Sequence, residues 1–185
     1  MDHVVFCTGY MYSFPFLKNL SPLPDVVEDG SRVQNVYQQM VYHPCPTLFF
    51  LGLPQRVVPF PISEAQSAII ARILAGRLQL PAESAMKETE KKEMERKGTS
   101  KTFHTLGYPQ DADYINHLYE WAMSSTRVSG LENEGMGKLP PFWDKEKRWL
   151  RSILPQIKEA SKRLGRERFA VGTVSELGFS YPPQI

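Results

Sequence analysis

Apolar positions in this chain change their period partway along it. Residues 3–6 (His3-Val-Val-Phe6) and 47–52 (Thr47-Leu-Phe-Phe-Leu-Gly52) form continuous apolar runs. Short unbroken runs rich in β-branched and aromatic residues predict strands buried on both faces. Residues 32–42 are rich in Val and Tyr and predict one or two short extended segments. Pro15, Pro22, Pro24 and the Glu28-Asp-Gly-Ser31 turn leave the stretch before them as loop. Past residue 62 the spacing becomes helical. Ala65, Ile69 and Ile73, with Ile70 and Leu74 beside them, predict a helix over 64–75 that stops at Gly76. Ser63 and Gln66 have the form of a capping box at its start.

Helical spacing returns at Ile115, Leu118, Tyr119, Ala122 and Met123, which predicts an amphipathic helix over 111–125. Leu150, Ile153, Leu154, Ile157 and Leu164 predict another over 144–164, kinked or split by Pro155. Residues 87–101 carry 6 basic and 4 acidic side chains and almost no apolar ones. Glu88–Lys92 and Glu93–Lys97 are spaced as favourable i,i+4 pairs, so this segment reads as a solvated helix or mobile linker. Residues 130–141 read as loop, and 172–185 receive no assignment.

With 185 residues, 42% hydrophobic and 23% charged, the chain has the composition of an ordered globular domain. A net charge of +2 gives no case for a nucleic-acid partner. Cys7 and Cys45 are the only cysteines and read as free thiols of a reducing compartment. Met1-Asp2 offers no basic leader, and no apolar run approaches the ~20 residues of a membrane span. The Tyr-Pro-Pro-Gln-Ile185 ending matches no lipidation or sorting signal. The expected location is the cytosol.

Chemistry-bearing patterns are sparse. The only Gly-x-Gly, Gly135-Met-Gly137, has Pro140 at the third glycine position, and Met136 stands where a phosphate-binding loop starting at Gly130 needs lysine. His43 and Cys45 make one ligand pair, too few for a zinc site. Cys7 reads as a small apolar residue at a strand end rather than a reactive thiol. What remains is Gly52, Leu53 and Gln55 at the end of one predicted strand, followed by a helix opening at Pro61-Ile62-Ser63. A crevice beyond a strand end, facing helix amides, suits an electron-rich cofactor group, although an ordinary strand–loop–helix has the same pattern.

Several of these stretches resemble the flavin-containing monooxygenases, also called dimethylaniline monooxygenases, especially the fungal ones. Phe6-Cys-Thr-Gly-Tyr10 resembles that family's Phe/Leu-Ala/Cys-Thr-Gly-Tyr motif, where the chain passes from the NADPH domain back to the FAD domain. Pro46-Thr-Leu-Phe-Phe-Leu-Gly-Leu53 is similar to a later strand, and Val57-Val-Pro-Phe-Pro-Ile-Ser-Glu-Ala-Gln66 to the segment after it. The helix from Ser63 resembles the one whose N-terminus faces the flavin. Gly76-Arg-Leu-Gln-Leu-Pro81 and Tyr108-Pro-Gln-Asp-Ala-Asp-Tyr-Ile-Asn116 also resemble the fungal pattern.

The resemblance implies an α/β fold: the C-terminal part of a flavoprotein with two dinucleotide-binding domains. An incomplete Rossmann-type FAD region (1–82) would precede a charged helix or linker (83–103), a helical extension (104–170) and a tail (171–185). It implies FAD and NADPH as cofactors of the complete protein and a flavin hydroperoxide that oxygenates a small amine or sulfur nucleophile. Thr8, Gly9 and Tyr10 would form the interdomain turn, and Gly52, Leu53, Gln55 and Ile62 would lie near the flavin. No residue is assigned as catalytic. In such proteins both glycine fingerprints lie upstream of the Thr-Gly-Tyr motif, where this chain begins. The expectation is a chain that does not turn over alone and leaves Val4, Val5, Phe6 and residues 48–51 uncovered. The alternative is a non-catalytic interaction module that pairs with a missing N-terminal half or a homologue.

Overall fold

The computed structural model describes residues 3–17 and 21–182. The readings placed on residues 1–2 and 183–185 fall outside them. An antiparallel hairpin is formed by β1 (Val36–Tyr37) and β2 (Val41–Tyr42), with Val36 opposite Tyr42 and Tyr37 opposite Val41. Helices α1 (Pro59–Leu74), α2 (Glu83–Lys97), α3 (Gln110–Met123), α4 (Lys145–Ser152) and α5 (Leu154–Arg163) follow. Single 3-10 turns occur at Pro15–Leu17, Lys101–His104, Gly165–Ala170 and Ser175–Leu177.

The predicted stripes of α1 and α3 meet each other. Ile62, Ala65 and Ile69 pack with Ala112, Ile115, Leu118 and Ala122, none more than 1% exposed, and the hairpin adds Met40 and Val41. Tyr119 and Met123 stand at the edge of this face, Met123 at 37% exposure. A second cluster gathers Val26, Val33, Val36, Tyr42, Phe50, Leu53 and Phe103.

Neither predicted buried strand forms. Residues 3–6 have no regular structure, and Val4, Val5 and Phe6 are 72%, 81% and 83% exposed. Residues 47–52 keep one isolated bridge, Phe49 to Val41, while Phe50 turns inward and Leu51 is 54% exposed. A strand is stable only where neighbours complete its hydrogen-bond ladder. Among the described residues none pairs with 3–6, and 47–52 gain only the ladder bonds from the Tyr42 amide to the Leu48 carbonyl and from the Phe50 amide to the Met40 carbonyl. The α/β expectation thus reduces, among the described residues, to helices around one small antiparallel sheet. Val4–Phe6 exposure matches the expectation of an uncovered face, whereas residues 48–50 are half-buried or buried. Cys7 is exposed rather than closing a strand, and Cys45 is partly buried.

α1 begins five residues before the predicted start, because Pro59 suits the first helical position. Ser63 therefore lies inside the helix, and the Ser63–Gln66 capping box does not form. The Ser63 carbonyl accepts from the Ser67 hydroxyl at 2.7 Å, and the Gln66 side chain is fully buried. Gly76, at φ +68°, follows the C-terminus as the sequence implied. The charged segment forms α2 but is not simply solvated, since Met86 and Glu90 are buried. Glu90 accepts from Arg32 at 3.2 Å and lies 3.0 Å from His43 Nε2, while Glu93 pairs with the largely buried Lys97 at 2.9 Å.

The 144–164 helix splits at Ile153, with Pro155 in the first turn of α5. Asp144 caps α4 by accepting the Lys147 amide at 2.9 Å. Arg148 and Arg151 bind α4 to α3 through Asp113 (2.7 Å) and the buried Asp111 (2.6 Å). The α1–α3 contact should dominate stability. Ile69→Ala is expected to lower unfolding free energy by about 2–5 kcal/mol. Phe60→Ala, at a site 84% exposed, should change it by less than ~0.5 kcal/mol. Urea denaturation of both variants measures the contrast.

Candidate functional site

The segment 52–55 is positioned by a buried polar cluster around the hairpin turn. Gln38 and Gln39 both adopt left-handed backbone, φ +51° and +56°. Such backbone costs a residue with a side chain ~1–2 kcal/mol, so the turn needs partners elsewhere. The Tyr114 hydroxyl donates to the Gln38 carbonyl at 2.6 Å, and the Gln66 amide donates to the Tyr114 oxygen at 3.0 Å and the Gln39 carbonyl at 3.4 Å. The other end of the Gln66 carboxamide accepts the Gly52 amide at 2.9 Å.

His104 supports the turn from the opposite side. Its Nε2 accepts the Val33 amide at 3.0 Å, so the proton sits on Nδ1 and is donated to Gln39 Oε1 at 2.6 Å. Burial, reinforced by the Arg32 and Lys97 charges, lowers its pKa from 6.5 to about 4. Burial also holds the Tyr114 phenol well above its ordinary value.

Beyond Gly52, the Gln55 amide donates to the His104 carbonyl at 2.8 Å, and the Leu106 amide donates to Gln55 at 3.1 Å. The Gln55 side chain donates to the Tyr12 hydroxyl at 2.9 Å, and that hydroxyl approaches the Leu53 carbonyl at 3.4 Å. Tyr12, Phe14, Phe16 and residues 48–53 line an open groove of about 450 Å³.

Of the residues singled out from sequence, Gly52 and Leu53 line this groove, and Gln55 is joined to it through its hydrogen bond to Tyr12. The Ile62 side chain does not, because it is 1% exposed within the α1–α3 core. Thr8, Gly9 and Tyr10 stand in solvent, Tyr10 at 96% exposure, with nothing within 4 Å of a Cβ built on Gly9. Sequence reasoning missed Tyr12 and Tyr114, and placed Gln66 at a helix cap. The available signal for Gln66 was a polar residue on the apolar face of α1, one position from Ala65.

The donors present do not fit the pyrophosphate of a dinucleotide. Two of the first three residues of α1, Pro59 and Pro61, have no N–H, which leaves Phe60 alone. The Gly52 amide is already held by Gln66. The chain has no Gly-x-Gly-x-x-Gly to supply the rest. The groove offers instead an apolar, aromatic wall with the Tyr12–Gln55 pair as its polar edge.

The sequence profile of the flavin-binding monooxygenase-like family matches residues 1–128. The flavin-containing monooxygenase ustF2 of Aspergillus flavus is 32% identical over 157 residues, 80% of this chain and 31% of that protein. The thiol-specific monooxygenase of Saccharomyces cerevisiae is 36% identical over 88 residues, 43% of this chain and 20% of that one. The structure of S-allyl-L-cysteine S-oxygenase from Allium sativum is similar at a TM-score of 0.60 and 29% identity, covering 93% of this chain and 35% of that one. This chain spans 20–35% of the length of these relatives.

Two measurements test the cluster. The fold holds His104 neutral while the unfolded chain protonates below about pH 6.5, so stability is full above that pH and falls as pH drops towards about 4. The loss should total on the order of 3 kcal/mol, and His104→Gln should flatten that part of the profile. Gln38→Gly should raise stability by about 1 kcal/mol in urea denaturation, because the Tyr114 bond to residue 38 uses only its carbonyl.

Proposed function

Since the chain belongs to the flavin-binding monooxygenase-like family, we propose that it supplies the C-terminal portion of an NADPH- and FAD-dependent monooxygenase. The complete protein oxygenates a small nucleophile at sulfur or nitrogen. Two of the similar proteins are named for sulfur chemistry, one thiol-specific and one an S-oxygenase, which favours sulfur. In this reading residues 1–82 complete the nucleotide-binding region, residues 83–103 bridge to the helical 104–170 extension, and 171–185 is a tail. Thr8, Gly9 and Tyr10 form the turn between nucleotide domains. Gly52, Leu53 and Gln55, with Tyr12, wall the flavin site, and Ile62 contributes through its place in α1. Free Cys7 and Cys45 thiols support a cytosolic setting.

The chain alone does not turn over. The observation that carries this is exposed apolar surface: Phe16 and Leu51 at the groove, and Val4, Val5, Phe6 and Phe60 elsewhere on the chain, are all more than half exposed. Each such side chain left in water forgoes ~1.5–3 kcal/mol of burial, a large amount against net stabilities of ~5–15 kcal/mol. That surface is where the upstream part of a monooxygenase would pack. It also favours a second reading, a non-catalytic module that pairs with a homologue or an N-terminal half.

The purified 185-residue chain is expected to be colourless and to consume no oxygen with NADPH. Co-expressed with the upstream part of the Aspergillus flavus relative, it should co-purify and yield a yellow, NADPH-oxidising complex. A yellow chain that is active alone overturns the proposal. Co-purification without flavin or activity selects the non-catalytic reading.

A further inference from the structure

The C-terminal end of α1 and the loop after α3 enclose a second cleft, of about 380 Å³, lined by Glu64, Arg72, Arg77, Lys138 and backbone near Gly137. It belongs to no part of the groove described above. Arg72 is 4% exposed and donates to the carbonyls of Ala68 (3.0 Å), Met136 (2.9 Å) and Lys138 (3.0 Å). Arg77 donates to Thr126 (2.9 Å), Gly135 (3.0 Å) and again Met136 (3.1 Å). The two guanidiniums therefore converge on one carbonyl, and burial with the neighbouring Arg77 charge lowers the Arg72 pKa.

Among the described residues no carboxylate pairs with either arginine. Glu64, the one acid lining the cleft, is engaged by Lys138 at 3.2 Å. Carbonyl dipoles satisfy part of each guanidinium but do not neutralise it. Arg72 Nε is buried without an acceptor, and no acceptor lies on Arg77 Nη1, 3.6 Å from where a Gly137 side chain would begin. Three cations against one acid leave the cleft with two uncompensated positive charges. Of the three cations only Arg72 is buried, Arg77 being half-buried and Lys138 79% exposed. A counter-ion in the cleft would offset the Arg72 charge most, and guanidinium forks match oxyanions.

We propose that this cleft binds a dianionic oxyanion of the phosphate type, with Arg77 and Arg72 as its donors and Lys138 at its rim. The proposal rests on the cleft alone and is independent of the monooxygenase reading.

The test titrates the 185-residue chain with inorganic phosphate, and separately with acetate and chloride at matched ionic strength, following thermal stability and ³¹P line width. Saturable stabilisation by phosphate that exceeds both controls is expected, and Arg77→Gln should weaken it at least tenfold. Two surface variants keep the test valid if Arg77→Gln fails to fold. Glu64→Gln, which frees Lys138, should tighten phosphate about threefold, and Lys138→Gln should weaken it about threefold, as expected for one partly screened charge. Equal stabilisation by chloride or acetate, or unchanged phosphate affinity across the folded variants, overturns the site.

Discussion

The Gln38–Gln39 turn bends through left-handed backbone in the middle of the protein, and its buried polar groups must all find partners. Tyr114 arrives from α3, Gln66 from α1 and His104 from the turn before α3. A buried carbonyl or amide without a partner costs about 1–3 kcal/mol. The register of three separate elements is therefore tied to one short turn. The apolar contact of α1 with α3 brings Gln66 and Tyr114 into range, and their hydrogen bonds then permit only one alignment of that contact.

The same cluster sets the geometry of the candidate site. Gln66 reaches across the core to hold the Gly52 amide, while the His104 backbone holds Gln55. The groove wall at 52–55 is thus fastened to the best-packed part of the molecule. The rest of the groove is apolar and open, with Phe16 and Leu51 exposed. The chain spans 31–35% of the length of the Aspergillus flavus and Allium sativum relatives.

Local pattern and observed structure agree where the stabilising contacts are local in sequence. The stripes at 65–73 and 115–122, the stop at Gly76 and the break near Pro155 are each produced by residues within one or two helical turns. Agreement fails where partners are distant. Residues 3–6 and 47–52 have strand composition, but composition cannot supply the neighbouring backbone that a ladder requires. Gln66 has the spacing of a capping residue, yet the demand of Gly52 and Tyr114 outweighed the cap once Pro59 moved the helix start. Glu90 sits in a highly charged run and reads as solvent-facing. Only packing of α2 over the hairpin brings Arg32 and His43 against it.

By itself the sequence determined most of the helices, the stop of α1 at Gly76 and the family, because helix signals and family motifs are carried by neighbouring residues in fixed order. Tertiary structure alone decided which polar side chains are buried and joined. It placed Gln66, Tyr114 and His104 at one turn, directed Ile62 into the core rather than to the groove, and set Arg72 and Arg77 on one carbonyl. The physical reason is distance along the chain. These contacts join residues separated by tens of positions, and their energies depend on desolvation and geometry that exist only after the helices have packed.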